Sequence, residues 1–367
     1  MVNLYSRRKT LMTAAAVAGL GIAEARANEH RLADFHMPIE SDPHQRTFMQ
    51  WPVSVDVYGE KLLRRVQSSI ASIAKAIAQF EEVVVLVSKQ HRADARATLS
   101  DNIATWDIET DDLWCRDSGP TFVKNQQGKL AVSHIQFNGW GNKQSHQNDG
   151  AIAARVAERL GIPLLDTHLV GEQGGLEHDG AGLVLAHASC WVNTNRNRES
   201  ATEVGQKILA AVGGKKMIWA PGIMGADITD YHIDALARFV APGKVLIQLP
   251  TQINPDDPWS ISAYETLDVL KSATTIEGKP LEIVTLAEPV NVRSSAKDFV
   301  ASYVNYYVCN GAVICSEFGD TQADGESKEI LQQLYPGREI VSLNTDPLGE
   351  SGGGIHCSTQ QQPKAGV

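Results

Sequence analysis

The sequence predicts a mixed α/β fold. Three observations carry that prediction: apolar runs of strand length recur along the chain, patterns of helical period lie between several of them, and no composition shift divides the 367 residues. The share of hydrophobic residues, 43%, against 21% charged is that of an ordinary globular protein, which excludes a disordered or fibrous chain. In chain order, a helical pattern over 62–80 precedes the apolar run 83–87, and the run 132–137 precedes a helical pattern over 152–160. The run 183–186 leads to the helical pattern 201–212 and then to the run 216–220. Runs at 245–249, 281–286 and 313–315 follow, with a last helical pattern over 328–335. Polar or proline-rich breaks at 138–150, 251–259 and 279–280 read as loops, not as linkers between domains.

Ahead of these elements stands a segment that belongs to transport. Ser6-Arg7-Arg8-Lys9-Thr10 is followed by an alanine-rich apolar run over 11–22 and then by Ala25-Arg26-Ala27, the order of a charged region, a short apolar region and a cleavage site. The run is about 12 residues, too short to span a bilayer, for which a helix needs about 20. The expectation is a signal peptide over 1–27 and no membrane anchor after processing. The arginine pair resembles a twin-arginine (Tat) export signal, although Thr10 stands where a Phe is usual, which keeps the general secretory route open. The mature chain, 28–367, is therefore expected to meet the export machinery and to reach the periplasm or the medium.

Charge narrows the partners. A net charge of −10 argues against nucleic acid, which is bound by clustered Lys and Arg, and it concentrates cationic ligands near the surface. All five cysteines, Cys115, Cys190, Cys309, Cys315 and Cys357, lie in the mature part, and an odd number leaves at least one thiol unpaired. Cys309 and Cys315 lie on an apolar stretch around 308–314 that reads as one buried strand. Six strand residues span about 20 Å, whereas a disulfide needs Cα atoms within about 7 Å, so both are expected to be buried free thiols. Cys190 reads the same way. Cys357 differs, because it sits in a glycine-rich polar setting.

Four polar segments carry the chemistry, at intervals of roughly 55 to 65 residues until a longer final gap. The first is Asp111-Asp112-Leu113-Trp114-Cys115-Arg116-Asp117-Ser118-Gly119-Pro120; if extended, it puts Cys115 and Asp117 on one face and Trp114 and Arg116 on the other. The second is Glu172-Gln173-Gly174-Gly175-Leu176-Glu177-His178-Asp179-Gly180, whose paired glycines permit a backbone other residues could not adopt. In the third, Asp227-Ile228-Thr229-Asp230-Tyr231-His232-Ile233-Asp234, His232 and Asp234 point the same way from a strand or turn. The fourth is Ser351-Gly352-Gly353-Gly354-Ile355-His356-Cys357.

Singly, each has a bland reading as an ion pair, a hydrogen bond or a turn. No His-Glu-x-x-His, paired Cys-x-x-Cys or calcium-loop spacing is present, so no metal is expected. A Cys, a His and several carboxylates suggest instead a thiolate nucleophile with a histidine to move the proton. Three or four carboxylates beside a thiolate would repel one another unless the substrate is a cation. A guanidinium, planar and rich in N–H donors, fits that requirement.

Further motifs surround these segments: His36-Met37-Pro38-x-Glu40, His44-x-Arg46-Thr47-x-Met49-x-Trp51-Pro52, Phe137-Asn138-Gly139-Trp140-Gly141 and Asn193-x-Asn195-Arg196-Asn197. Ala301-Ser302-Tyr303-x-Asn305-Tyr306-Tyr307 and Gly352-Gly353-Gly354-Ile355-His356-Cys357-x-Thr359-Gln360-Gln361-Gln362-Pro363 complete the series. In this order they resemble the agmatine deiminases and the related bacterial peptidyl-arginine deiminases of the guanidine-modifying (pentein) superfamily. Gln173 stands where the family usually has a Gly, and Cys115 occupies a variable position of its motif.

The resemblance implies a single-domain, five-bladed α/β propeller with pseudo-fivefold symmetry around a central polar site. It implies Cys357 as the nucleophile, His232 as the acid and base, Asp117 and Asp234 as holders of the guanidinium nitrogens, and Glu172 as the bridge between substrate and histidine. It implies an amidino-cysteine intermediate and no metal or organic cofactor. Trp114 either covers the aliphatic part of the substrate or packs between blades, and His356 is expected to be structural. Agmatine, hydrolysed to N-carbamoylputrescine and ammonia, is the first substrate expectation. An exported deiminase of peptidyl-arginine or free arginine is the alternative, since polyamine synthesis is cytoplasmic. A non-catalytic periplasmic binder of guanidines is the rival from another class, and self-association is left open.

Overall fold

The computed structural model describes residues 32–366, so the predicted signal peptide lies outside the described residues. They form five separate sheets, three of three strands and two of four. One plan repeats: an antiparallel pair, a helix, and a strand that returns parallel to the second strand of the pair. Thr121–Asn125 and Leu130–Gln136 are followed by the helix Ile152–Leu160 and the parallel strand Leu164–Val170. Leu176–His178 and Leu183–His187 are followed by the helix Ala201–Val212 and Lys216–Ala220. Ala237–Ala241 and Lys244–Leu249 lead to Pro258–Ser272 and Glu282–Ala287. Tyr307–Cys309 and Ala312–Glu317 lead to Thr321–Leu334 and Glu339–Asn344. The remaining unit is split between the termini. Thr359–Pro363 pairs antiparallel with His44–Gln50, which continues into the helix Val55–Ile77 and the parallel strand Glu82–Leu86. The end of the chain thus closes on its beginning.

Five apolar clusters show how the units join. Each helix is packed between its own sheet and a neighbouring one: Val66, Ile70 and Ile77 lie with Val83 and Val85 on one side and with Tyr307, Cys309 and Ile314 on the other. Central strands are therefore apolar on both faces. Val83 and Val85 enter one cluster while Val84 and Leu86 enter the next, and Ala312 and Ile314 alternate likewise with Val313 and Cys315. That two-sided burial is why these strands read as continuous apolar runs. Helix ends follow local chemistry: Ser200 and Glu203 form a capping box, and Gly161 and Gly213 stop their helices in the left-handed conformation.

The structure corrects several expectations. The stretch around 308–314 is a hairpin and not one strand; Cys309 pairs opposite Ala312 across an Asn310-Gly311 turn in which Gly311 has φ +83. Both cysteines are nonetheless buried and free, as are Cys115 and Cys190. The helix Pro258–Ser272 begins inside the predicted loop 251–259, capped by Asp257; its exposed Trp259 and Ile261 blur the apolar stripe. The helix Thr321–Leu334 starts earlier than predicted because its first turn is polar and capped by Asp320. Cys115–Ser118 is a helical turn, which overturns the two-faced extended reading. Cys115 is buried in an apolar cluster, while Arg116 and Asp117 enter polar networks.

Candidate active site

Each unit's last strand leads into the next unit through a polar connection, and these five connections meet. They deliver Asp117, Glu172, the His232 and Asp234 pair, Asn305, and Cys357. Four were predicted from the sequence; the fifth, carrying Asn305, fills the long final gap between motifs.

His232 sits among carboxylates. Its Nε2 lies 3.2 Å from Glu172 Oε2 and its Nδ1 3.6 Å from Asp117 Oδ1. Asp117 also accepts hydrogen bonds from the Trp140 indole at 2.9 Å and from the Gly174 amide at 3.3 Å. Asp234 Oδ2 is 2.7 Å from His356 Nδ1 and 3.6 Å from the Cys357 sulfur, whose thiol donates to it. Asp234 Oδ1 is buried and has no hydrogen-bond partner among the described residues. A buried carboxylate oxygen left open is costly, and it marks where a ligand N–H would be received. Asn305 Nδ2 donates to the sulfur at 3.2 Å.

Burial and charge set the protonation states. Burial opposes charge on His232, yet Asp117, Glu172 and Asp234 outweigh it and raise the imidazole to about 9. Burial raises Asp117 to about 6, with Asp234 and Glu172 adding to it against the pull of His232. Glu172 and Asp234 go the other way. Despite burial, Arg196 and His232 lower Glu172, and His356 lowers Asp234. The Cys357 thiol is pushed well above its ordinary value by burial and by Asp234 and Asp117.

The close approach explains the glycines. A Cβ on Gly174 would stand 2.6 Å from Asp117 Oδ1 and 2.8 Å from His232 Nδ1. Neither Gly174 nor Gly175 has a positive φ, so they are required for space rather than for the unusual backbone that was predicted. Strain lies instead at Asp230 (φ +61) and Tyr231 (φ +73), directly before His232, and at Trp140 (φ +55). Lys143 holds the strained turn by donating to the Asp227 and Ile228 carbonyls and to Asp230.

Sequence reasoning brought Cys357, His232, Glu172, Asp117 and Asp234 to one place, but it left their supports unassigned. Arg196 Nε bonds both oxygens of Glu172 at 2.9 Å, and its Nη1 reaches Asp230 at 2.7 Å. Glu40 binds Arg116, Arg238 and His356 beneath the site. His356 and Cys357 lie in a turn, not an extended segment, and His356 spans Asp234 and Glu40 as a structural link. Trp114 is buried in the apolar cluster between units, its ring against Gly353. Arg196, Asn305, Trp140 and Glu40 all stand in motifs named above; what the sequence lacked was the pairing that only folding supplies. No group of three or more His, Cys, Asp and Glu is arranged to hold a metal among the described residues.

Known proteins resemble the chain in sequence and in fold. Residues 36–363 match the Porphyromonas-type peptidyl-arginine deiminase family. The agmatine deiminase of Ectopseudomonas mendocina is 34% identical, over 91% of this chain and 96% of its own. The structure of the agmatine deiminase of Enterococcus faecalis superposes with a TM-score of 0.83 at 28% identity, over 90% of this chain and 96% of that one. An amidinotransferase from Microseira wollei, only 10% identical, shares the fold at a TM-score of 0.51, over 91% of this chain and 98% of its own. The chain thus belongs to the Porphyromonas-type peptidyl-arginine deiminase family and is a hydrolase of the agmatine deiminase type.

Proposed function

We propose that the protein hydrolyses agmatine to N-carbamoylputrescine and ammonia through a covalent amidino-cysteine. The observation that carries the reading is the cage of three buried carboxylates around Cys357 and His232, with Asp234 Oδ1 open to a donor. The named activities of the Ectopseudomonas and Enterococcus relatives support the same substrate.

In this reading Asp117 and Asp234 receive the guanidinium N–H groups, while the Trp114 ring packs between units. The bound cation offsets the carboxylates that hold the Cys357 thiol up, so the thiol releases its proton to solvent on binding and the thiolate attacks the substrate. The sulfur bonds to the guanidinium carbon. One C–N bond then breaks as His232 gives its proton to the departing nitrogen, which leaves as ammonia. Glu172, held by Arg196, keeps the imidazole in place. His232, now neutral, takes a proton from water as the oxygen adds to the same carbon. The C–S bond breaks, the thiolate returns, and the remaining hydroxyl proton leaves with ammonia as ammonium. Fixing the carbon near attack distance supplies much of the rate.

The export signal supports action outside the cytoplasm, on agmatine, free arginine or arginine in peptides. The test is ureido-product formation by the mature protein from these three guanidines in parallel, with Cys357→Ala as control. Turnover of agmatine that is lost in the variant supports the proposal. Turnover of peptide or free arginine in its place would replace the substrate, and turnover of none would favour a guanidine-binding protein. Processing and periplasmic delivery are tested separately, by N-terminal sequencing and fractionation with the Arg7-Arg8 pair replaced by Lys.

A further inference from the structure

The loop after the strand Leu130–Gln136 has an unusual backbone. Gly139, Trp140, Gly141 and Asn142 follow one another at φ +65, +55, +84 and +61, four successive residues in the left-handed range. A residue with a Cβ enters that range at a cost, and then singly. Glycine enters it freely, and close packing keeps both glycines small: a Cβ on Gly139 would stand 2.3 Å from the Gln144 carbonyl oxygen, and one on Gly141 2.4 Å from Asn195 Nδ2. Trp140, between them, carries the bulkiest of side chains in the same strained conformation. A tryptophan kept there implies that its side chain is needed at that point.

That side chain reaches the central site. Trp140 is buried with its ring edge-on to Phe137, and its Nε1–H, which can only donate, meets Asp117 Oδ2 at 2.9 Å. Asp117 Oδ1 takes the Gly174 amide at 3.3 Å and lies 3.6 Å from His232 Nδ1. The indole is thus the shorter of two donors that set the rotation of the carboxylate. The turn itself is held from outside: Asn138 Oδ1 accepts from the Gly141 amide at 2.8 Å, and Asn138 Nδ2 donates to the Asn195 carbonyl at 2.9 Å. Charge explains why the donor is neutral. Asp117 faces His232, Asp234 and Glu172, with the Cys115 and Cys357 thiols close by; burial and the two carboxylates favour a proton on it, while His232 and the indole oppose one. A Lys or Arg in place of Trp140 would oppose that proton more strongly but would compete with a guanidinium for the carboxylate. An indole N–H orients the anion and leaves its charge for the substrate.

We propose that Trp140 is a positioning residue: the left-handed turn at 139–142 aims its indole N–H at Asp117 Oδ2 and so fixes the carboxylate that receives the guanidinium. The role rests on Asp117 as that acceptor, and it is tested so that the two readings fail separately. The mature protein and its Trp140→Phe variant, which keeps an aromatic ring and loses the N–H, are labelled with carbon-13 at the aspartate carboxyls. Asp117 is titrated by NMR without substrate, its signal assigned by its loss in Asp117→Asn. Profiles of kcat/KM for agmatine against pH, and thermal melts, are measured in parallel.

The indole favours the ionised carboxylate, so its loss should move the Asp117 titration up by about one pH unit. The acid limb of kcat/KM should move with it, and the loss of activity should be about fivefold greater near pH 6 than near pH 8. A residue that only fills space would lower activity by the same factor at both. Should Trp140→Phe not fold, Asn138→Ala takes its place, since it releases the turn and keeps the indole; its titration and acid limb should move in the same direction. An Asp117 titration or an acid limb at the wild-type position in the folded variant overturns the proposal. The NMR titration needs no substrate, so a wild type that turns over no guanidine would overturn the functional reading and still leave the hold of Trp140 on Asp117 decided.

Discussion

His232 and Asp117 face each other across 3.6 Å with their titrations pushed in the same direction, His232 to about 9 and Asp117 to about 6. Between those values the free protein holds a protonated acid beside an ionised guanidinium acceptor, the pair that the proposed chemistry requires. The profile of kcat/KM, which reports the free enzyme, should therefore be a bell with limbs near 6 and near 9. The acid limb falls as Asp117 gains a proton, the alkaline limb as His232 loses one. If the bulk solution had to ionise Cys357, activity would instead keep climbing past the upper limb, because that thiol is held well above its ordinary value. Gly174 gives a second prediction at this scale. Gly174→Ala would push a methyl between Asp117 and His232, and a displacement of about 1 Å at reacting groups costs about 100-fold in rate. We expect that loss in kcat/KM in a protein whose far-ultraviolet circular dichroism is unchanged. The residues of the central site were legible because their types are unusual together: a Cys in a glycine turn, a His-x-Asp, and an excess of acids. Arg196 and Glu40 were not, since an Arg and a Glu far apart in sequence carry no sign that they will be buried against Glu172 and His356.

At the scale of elements, the strands were legible where both faces are apolar, as at Val83 to Leu86, and the helices where the stripe is clean, as at Ile152–Leu160. Boundaries failed where a side chain outside the pattern decides them. Asp257 and Asp320 start helices by capping, and Gly311 turns what reads as one apolar run into a hairpin. Gly311→Ala should cost about 1 kcal/mol of stability in denaturant melts, from the positive φ alone, because an added Cβ meets only Phe80 Cδ1 at 3.4 Å. The turn before His232 is held differently. Asp230 and Tyr231 both have positive φ, a conformation that persists only under restraint from outside, and Lys143 supplies three of the restraining hydrogen bonds. Lys143→Met should lower kcat by about tenfold or more through a misplaced His232. Its melting temperature should stay close to wild type, since Arg196 still holds Asp230 and the lysine is partly exposed.

At the scale of the whole molecule the five apolar clusters tie every unit to its neighbours, so opening any unit exposes two clusters and the ring should unfold as one. The electrostatic state of the central site therefore enters the global stability. His232 has a folded value of about 9 against an ordinary 6.5, so its contribution is complete below pH 6.5 and is lost as pH rises through about 9. Asp117, raised to about 6, likewise contributes at low pH and loses that contribution as pH rises through its folded value. Glu172, Asp234 and Glu40 are lowered, so they contribute above the ordinary carboxylate range and lose that contribution as pH falls. The lowered carboxylates weaken the protein in acid and the raised pair weakens it toward alkali, which places maximum stability near or slightly below neutrality. From about pH 7 to about pH 10 only the histidine among these groups changes charge. Its raised value corresponds to about 3 kcal/mol, because each pH unit of displacement is about 1.4 kcal/mol. Denaturant melts of wild type and His232→Asn at intervals over that range should show wild type losing about 3 kcal/mol more than the variant. Parallel declines would mean that His232 is not held protonated by its three carboxylates, and the alkaline limb of the activity profile would then need another group.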